Sequence, residues 1–518
     1  MSHIKILSPY FSDRKFEWLK GNLHTHTTRS DGLPTAAAMT RHYAGLGYDF
    51  LGLSDHDVLS DYRNVDPAGL LLIPGNEISV NGSHVLDVGA RMLVAPDPDR
   101  QNVVDQIRRE SGMAVLCHPN WQEQFNHYSF ETLLDLSGYT GIEIFNGGCL
   151  EHSGSAWALD KWDRLLSAGR TAWGFANDDA HCTEQVGRGW NVVQVRQRTV
   201  PAILEALREG RFYASTGVRI ERIVCTDNTI EVVAPNADAI AVIGDYGSRL
   251  HYEEGPKLVF NASDFFASAN ARFTQYLRVE CYGHAQATAW TQPFFITSEL
   301  HARVKKLIET KPVLHALRSD HAPSLTKTGA DAIWEKAEPS SCFHDISTGL
   351  DPDVKTEIRA IATPDALCLL VACEEPHLDQ IKQNVTAHGD PRLWTDDSIE
   401  IFLDVGEQAR QYVHIMANAG GFAHAYLHVP NEPRGKKTAA HATPPQPLHF
   451  QTMAKRQQNQ WLLEIIIPCQ NLSTAPKAGD CWGLHVCRNR KIGSNRSFVW
   501  AWVGANNHNP SAFGTLQF

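Results

Sequence analysis

Long apolar runs, paired cysteines and positive charge are all scarce in this sequence, and each scarcity excludes something. No uninterrupted apolar run approaches the ~20 residues that cross a bilayer, so neither a spanning helix nor a membrane partner is expected. Residues 1–20 mix Lys5, Asp13, Arg14, Lys15 and Glu17 with single apolar residues and lack the apolar middle of a secretory signal, which makes a cytoplasmic location the expectation. The eleven cysteines are an odd number, scattered from Cys117 to Cys487 without a C-x-x-C pair, and fit reduced thiols better than a disulfide framework. A formal net charge of −11 denies the chain the basic footprint that nucleic-acid backbones require, so no nucleic-acid polymer is expected as partner. A local positive site made by metal ions escapes that exclusion.

A chain of 518 residues is too long for one core and is expected to form about three units. From about residue 16 to 222, short apolar runs alternate with helix-length amphipathic segments. The spacing predicts strands over 16–23, 50–53, 70–73, 85–88, 114–117, 141–145, 171–175 and 190–195, and helices over 35–45, 103–111, 130–136, 155–168 and 200–209. Such alternation implies a mostly parallel sheet, as a barrel or an open doubly wound sheet.

Histidines and carboxylates keep falling just after the predicted strands. His24 and His26 follow the first, with Asp31 in the turn Ser30-Asp31-Gly32; Asp55-His56-Asp57 follows the second; Gly75-Asn76-Glu77 follows the third; His118-Pro119 and Asp179-Ala180-His181 follow the fifth and seventh. In extended chain, residues two apart point to one side, so His24 and His26 can reach one cation. An isolated H-x-H is unspecific, but a random scatter would not keep landing on the C-terminal rim, where α/β barrels build their sites.

This constellation resembles the polymerase and histidinol phosphatase (PHP) family of metal-dependent phosphoesterases, over about residues 16 to 222. The resemblance implies a distorted (β/α)7 barrel with a two- or three-metal centre. Its implied ligands are His24, His26, Asp31, His56, Glu77, His118, Asp179 and His181, with Glu77 bridging and His84 serving an additional metal. Asp57 is expected to brace His56 or contact substrate, and ranks first as the acid for the leaving oxygen because a metal-bound histidine is a poor general acid. Glu77 and His118 complete the expected catalytic set. Arg29 and Arg188 are the basic residues nearest the motifs and are candidates to grip a phosphate. Asp178 reads as a turn residue, His152 as a polar loop residue, and His3, His42 and His127 as exposed. Imidazole and carboxylate donors without thiolate suit manganese, iron or zinc. Three carboxylates against two divalent ions leave a net positive centre that attracts an anion and lowers the pKa of water toward ~7.

Residues 223–296 read as a small β-sandwich with strands over 229–233, 239–243, 257–260 and 276–281, and 297–324 as a charged connector. In the connector, Ser319-Asp320-His321 reads as chance. Residues 325–518 read as a second sandwich, with strands over 367–372, 398–403, 412–416, 461–467 and 483–486 and no metal cluster. Within it, Trp394-Thr395-Asp396-Asp397-Ser398-Ile399-Glu400-Ile401-Phe402 resembles the W-x-D-D-S-x-E-x-F of family 9 carbohydrate-binding modules, and the ending Ala512-Phe513-Gly514-Thr515-Leu516 resembles theirs too. The resemblance implies a carbohydrate ligand clamped by Trp394 with Trp500 or Trp502, while Trp461 and Trp482 read as core. The whole reads as a metal-dependent hydrolase of a small phosphate ester, mono- or diester and sugar- or nucleotide-containing, working through a hydroxide held by the metal centre. Two other readings compete: a sugar-binding protein with an inactive metal-bearing barrel, and a metal-dependent hydrolase of a non-phosphate substrate such as an amide. Oligomeric state is not legible.

Overall fold

A computed structural model describes residues 4–13, 15–59, 62–267, 274–323, 331–346, 348–407, 411–428, 450–472, 474–503 and 507–518. The chain divides into two compact units, Met1–Ser298 and Glu299–Phe518. Among the described residues no helix is long and apolar enough to cross a membrane.

In the first unit the elements run β1 (Lys5–Leu7), β2 (Glu17–Asn22), α1 (Ala36–Gly45), β3 (Phe50–Leu53), β4 (Leu71–Ile78), β5 (Val85–Val88), α2 (Arg100–Arg109), β6 (Met113–Leu116), α3 (Phe130–Asp135), β7 (Gly141–Asn146), α4 (Leu159–Ser167), β8 (Trp173–Asn177), β9 (Trp190–Val195), α5 (Val200–Arg208) and β10 (Phe212–Ser215). Side-chain caps start the helices: Thr35, Asp99, Ser129 and Thr199 each accept a first-turn N–H, worth about 1 kcal/mol apiece. The sheet is mixed rather than mostly parallel. β2–β3, β3–β4, β6–β7 and β7–β8 pair parallel as expected, but β4–β5, β5–β6 and β9–β2 pair antiparallel. Only six residues, 79–84, join β4 to β5, and a parallel crossover needs a dozen or more.

The path from β2 to β8 curls until its ends meet, and backbone bonds together with side-chain amides make the seam. His26 N donates to Ala180 O at 2.9 Å and Asp179 N to His24 O at 3.0 Å. Further along β8, the Asn191 amide accepts from Ala176 N (3.1 Å) and donates to Ala176 O (2.8 Å), and the Gln292 amide does the same to Gly174, at 2.8 Å both ways. Each amide copies the two hydrogen bonds that a neighbouring strand would supply. The result is a nearly closed, barrel-like sheet with buried cores between sheet and helices.

Next come β11 (Arg222–Cys225), β12 (Thr229–Val233), β13 (Ala237–Gly244), β14 (Ser248–Glu254), β15 (Lys257–Asn261), α6 (Ala262–Ala267), β16 (Tyr276–Gly283), β17 (Thr288–Thr291) and β18 (Phe294–Thr297). Two sheets share one core here, as a sandwich requires. One is the three-stranded β11-β12-β15; the other is continuous with the barrel sheet through β16, β17 and β10. Buried Arg278 on β16 donates to both carboxylate oxygens of Asp163 on α4, at 2.7 and 2.8 Å, and binds this layer to the barrel's outer helix.

The second unit holds α7 (Glu299–Glu309), β19 (Val313–Arg318), β20 (His344–Asp345), β21 (Thr356–Ala362), β22 (Ala366–Glu374), β23 (Ser398–Asp404), β24 (Tyr412–Asn418), β25 (Ala423–His428), β26 (Gln451–Gln457), β27 (Gln460–Pro468), β28 (Cys481–Arg490), β29 (Arg496–Val499) and β30 (Gly514–Gln517). β25-β24-β23-β28-β30 and β21-β22-β27-β26 are joined by β19, a strand inside the stretch read as connector. Buried Arg488 on β28 reaches the carbonyls of Lys355 and Glu374 on the other group of strands.

Candidate metal centre

Each expected ligand reaches one pocket because a strand ends beneath it. The extension of β2 carries His24 and His26 on one side. The extension of β3 pairs His56 with Glu77 at the end of β4. His118 follows β6, and Asp179 and His181 follow β8. Asp55, buried, accepts from Thr27 N (2.8 Å) and Ser30 Oγ (3.0 Å), and so folds the loop that presents Asp31. Gly32 closes that loop where a Cβ would sit 2.5 Å from the His26 carbonyl carbon, a space no other residue fits. Asp57, His118 and Asp179 all hold left-handed backbone, φ 50°, 30° and 50°. Strain of that kind costs about 1–3 kcal/mol each and collects at functional sites.

Glu77, 1% exposed, is the hub. Its Oε2 lies 3.0 Å from His24 Nε2, 3.3 Å from His26 Nε2 and 3.1 Å from His56 Nδ1. Its Oε1 lies 2.8 Å from His84 Nδ1 and 3.3 Å from His118 Nε2. Asp179 Oδ1 faces the same two rings as Oε2, at 3.2 Å from His24 and 3.0 Å from His26. Asp31, the most exposed member, stands 3.6 Å from His26 Nδ1, 3.6 Å from His56 Nε2 and 3.4 Å from His181 Nε2. Burial would push the Glu77 and Asp179 carboxyls up, but the surrounding imidazoles, His24 foremost, hold both well below the usual carboxylate range.

These spacings run from hydrogen-bond length at His84 and His26 to the separation of two ligands on a shared cation around Asp31. Two donors ~2.0–2.2 Å from one tetrahedral ion stand about 3.3–3.5 Å apart. His24 Nε2, His26 Nδ1, His56 Nδ1 and Glu77 Oε2 are buried, yet none has a hydrogen-bond partner among the described residues. Buried polar atoms are rarely left that way without reason. The donors gather into His24, His26, Glu77 and Asp179; His26, Asp31, His56 and His181; and His84, His118 and His127, each group within 4.8 Å.

Two members were missed in the sequence. Glu143, buried on β7, accepts from His24 Nδ1 (2.8 Å), His118 N (2.9 Å), Asn146 Nδ2 (2.7 Å) and Asn177 Nδ2 (2.8 Å). It fixes His24 with Nε2 toward the pocket, as carboxylates behind metal-bound histidines do. The available signal was a charge inside the otherwise apolar strand Gly141-Ile142-Glu143-Ile144-Phe145. His127, expected on the surface, packs 4.7 Å from the His118 ring and accepts from His84 N at 2.8 Å. Its loop is pinned by Lys161, whose Nζ donates to the carbonyls of Pro119, Phe125 and Tyr128.

Other expectations need correction. Asp57 does not brace His56: its carboxylate accepts from Ser79 N (3.2 Å), Ser79 Oγ (2.7 Å) and Val80 N (3.2 Å), tying down the turn after β4. Arg188 is committed to Glu151 and to Gly147 O, whereas Arg29 is exposed with no side-chain partner among the described residues. Asp178 is a structural anchor, accepting from Tyr43 Oη and the amides of Gly187, Arg188 and Gly189. His152 is exposed, as a polar loop residue should be, and His3 lies outside the described residues. In the second unit Trp394 is 52% exposed, but Trp500 and Trp502 are 1% and 4% exposed. Trp500 donates its indole N–H to Ser340 Oγ from inside the core, so neither of the pair presents a face to a sugar. Trp461 and Trp482 are core, as read.

Family models match two stretches: residues 327–518 match "Carbohydrate family 9 binding domain-like", and residues 169–212 match "PHP-associated". Both resemblances are matched. The PHP-associated stretch contains β8, Asp179, His181 and β9. Among solved structures, similarity extends to a two-domain protein containing a predicted PHP-like metal-dependent phosphoesterase from Bacteroides vulgatus, with 16% identity, 56% of this chain and 98% of that one covered, and TM-score 0.33. It also extends to a family 9 carbohydrate-binding module from Caldicellulosiruptor kristjanssonii in complex with glucose (16%, 40% and 95%, 0.29) and to an amidohydrolase from Chromobacterium violaceum with bound sulfate and no metal (17%, 36% and 96%, 0.27). Likeness this distant leaves function to be argued from the side chains. No curated protein matches the chain.

Proposed function

We propose that the chain is a metal-dependent hydrolase of small phosphate esters, with residues 1–222 as a PHP-type (β/α)7 catalytic barrel. The observation that carries this reading is the buried Glu77 carboxylate, whose two oxygens face five imidazoles. His24, His26, Glu77 and Asp179 would hold one divalent ion and His26, Asp31, His56 and His181 a second. His84 and His118, on the other oxygen of Glu77, would hold a third. Manganese, iron or zinc suits these donors. Such ions supply Lewis acidity toward phosphoryl oxygens and make water a stronger acid.

The chain's own residues orient and select. Glu143 holds His24, and Asp55 holds the loop of Asp31. Asp31, Glu77, Glu143 and Asp179 together balance two divalent ions, so a third ion or Arg29 supplies the positive charge that draws an anion. Arg29 is therefore assigned to the phosphate and Arg188 is not. Glu77 and His118 keep their catalytic assignment, while Asp57 passes to holding the 79–84 turn. A carbohydrate ligand for residues 327–518 is supported by the family model and by exposed Trp394.

The test is a panel of phosphomonoesters, phosphodiesters and amides assayed with manganese. Phosphoester turnover is expected, falling in Glu77→Gln by at least the roughly 10–100-fold that loss of a supporting partner costs a metal site. Turnover of amides alone, or full turnover in the variant, sinks the reading.

A further inference from the structure

The second unit carries a cluster of histidines that no resemblance accounts for. On β23, β24, β25 and β28, side chains two apart share a face. Glu400 and Phe402, Tyr412 and His414, Tyr426 and His428, and His485 fall on one face, because Phe402 pairs with His414 and His485, His414 with Tyr426, and Tyr412 with His428. His414 and His428 are thus diagonal neighbours, a separation that long side chains bridge. His508 arrives over them from the loop after β29. Ring centroids stand 5.5 Å apart for His414 and His428, 5.3 Å for His414 and His508, and 4.8 Å for His428 and His508.

We propose that His414, His428 and His508 form a second metal site, for one divalent transition ion of the zinc class. One ring nitrogen from each lies within 4.8 Å of the others. The tautomers point the right way. Glu400 Oε2 accepts from His414 Nε2 at 2.8 Å, which leaves the lone pair on Nδ1. That Nδ1 is buried and has no hydrogen-bond partner among the described residues, although a histidine placed only to pack would be expected to satisfy it. A carboxylate behind a histidine is the support that metal-bound imidazoles receive. Phe402, stacked on the His414 ring at 4.1 Å and 12°, holds it in place. Tyr412 Oη meets His508 Nδ1 at 2.8 Å; with Nδ1–H donating to the phenol oxygen, Nε2 is that ring's ligand atom. Three neutral imidazoles select zinc, copper or nickel over calcium or magnesium, and three protein ligands leave a fourth position open. Burial grades from His414, fully inside, through His428 to exposed His508, so an ion enters from one side.

The test uses the full chain, stripped with chelator and titrated with Zn²⁺, counting bound equivalents by atomic spectroscopy after desalting. His428→Gln and His508→Gln should each lose one equivalent relative to wild type, and cobalt loading should lose its tetrahedral visible absorption at this site. Glu77→Gln should keep that equivalent whatever it does to the barrel, which separates this proposal from the one for the barrel. Equal stoichiometry in wild type and both glutamine variants overturns it, as does a wild type whose every equivalent disappears with Glu77. His508 is exposed, so its variant keeps the fold and stays decisive if His428→Gln does not.

Discussion

The barrel pocket and the sandwich cluster use the same side chain in opposite ways. In the barrel, histidines and carboxylates surround one buried glutamate, and most stand at or after the end of a strand. In the sandwich, His414 and His428 stand within strands on a common face with His508 over them from a loop, and the carboxylate beside them, Glu400, is behind the His414 ring rather than between rings. The first arrangement concentrates negative charge among imidazoles; the second offers neutral nitrogen alone. The difference teaches that a histidine's role follows from what lies on its far nitrogen as much as from which histidines are near.

The comparison can be broken or sharpened by experiment, beginning with the charge the barrel keeps away from its histidines. Asp87 on β5 faces away from the pocket, and burial, with Glu110 adding to it, raises its carboxyl from 3.8 to about 7. The folded state then holds a proton that the unfolded state releases, so the stabilisation is complete below about pH 4 and is lost as pH rises toward 7. Relative to Asp87→Asn, wild-type unfolding free energy should decline across that window by up to about 4 kcal/mol. Denaturant melts at several pH values read this directly, and parallel pH profiles would refute it. Next in size is the brace of the barrel: Glu143→Ala strands four buried donors and should cost roughly 10–100-fold in metal affinity, seen in equilibrium titration. Smallest is the brace of the sandwich. Among the described residues Glu400 accepts from His414 and Asn489 alone, so Glu400→Gln should weaken Zn²⁺ binding by about tenfold, the low end of that range. A larger loss than that of Glu143→Ala would reverse the ranking of the two supports.

What was legible in the sequence was whatever lies close along the chain. The strands 50–53, 85–88 and 190–195 run as read, and His24, His26, His56, Glu77, His118, Asp179 and His181 gather because short motifs follow them. The β4–β5 hairpin was misread because Pro74-Gly75 looks like a stop. β4 passes through it: Pro74 lacks a donor, but its carbonyl accepts from Gly89 N and Ala90 N. Glu143 was hidden in an apolar strand and His127 in a loop. The cluster of His414, His428 and His508 was invisible for another reason: only strand register makes those positions neighbours, and register is a property of pairing. Trp500 and Trp502 went wrong because aromatic type does not say which side of a sheet a ring takes.

The amides of Asn191 and Gln292 that complete the sheet beside β8 have a consequence for how the barrel breathes. A strand can leave a sheet only by peeling, one residue after another. A side-chain clasp opens by turning about a single bond and closes again without changing register. The closure is thus of two kinds along one strand: side-chain amides clasp Gly174 and Ala176, while next to the pocket Asp179 and Ala180 are held by backbone bonds to His24 and His26.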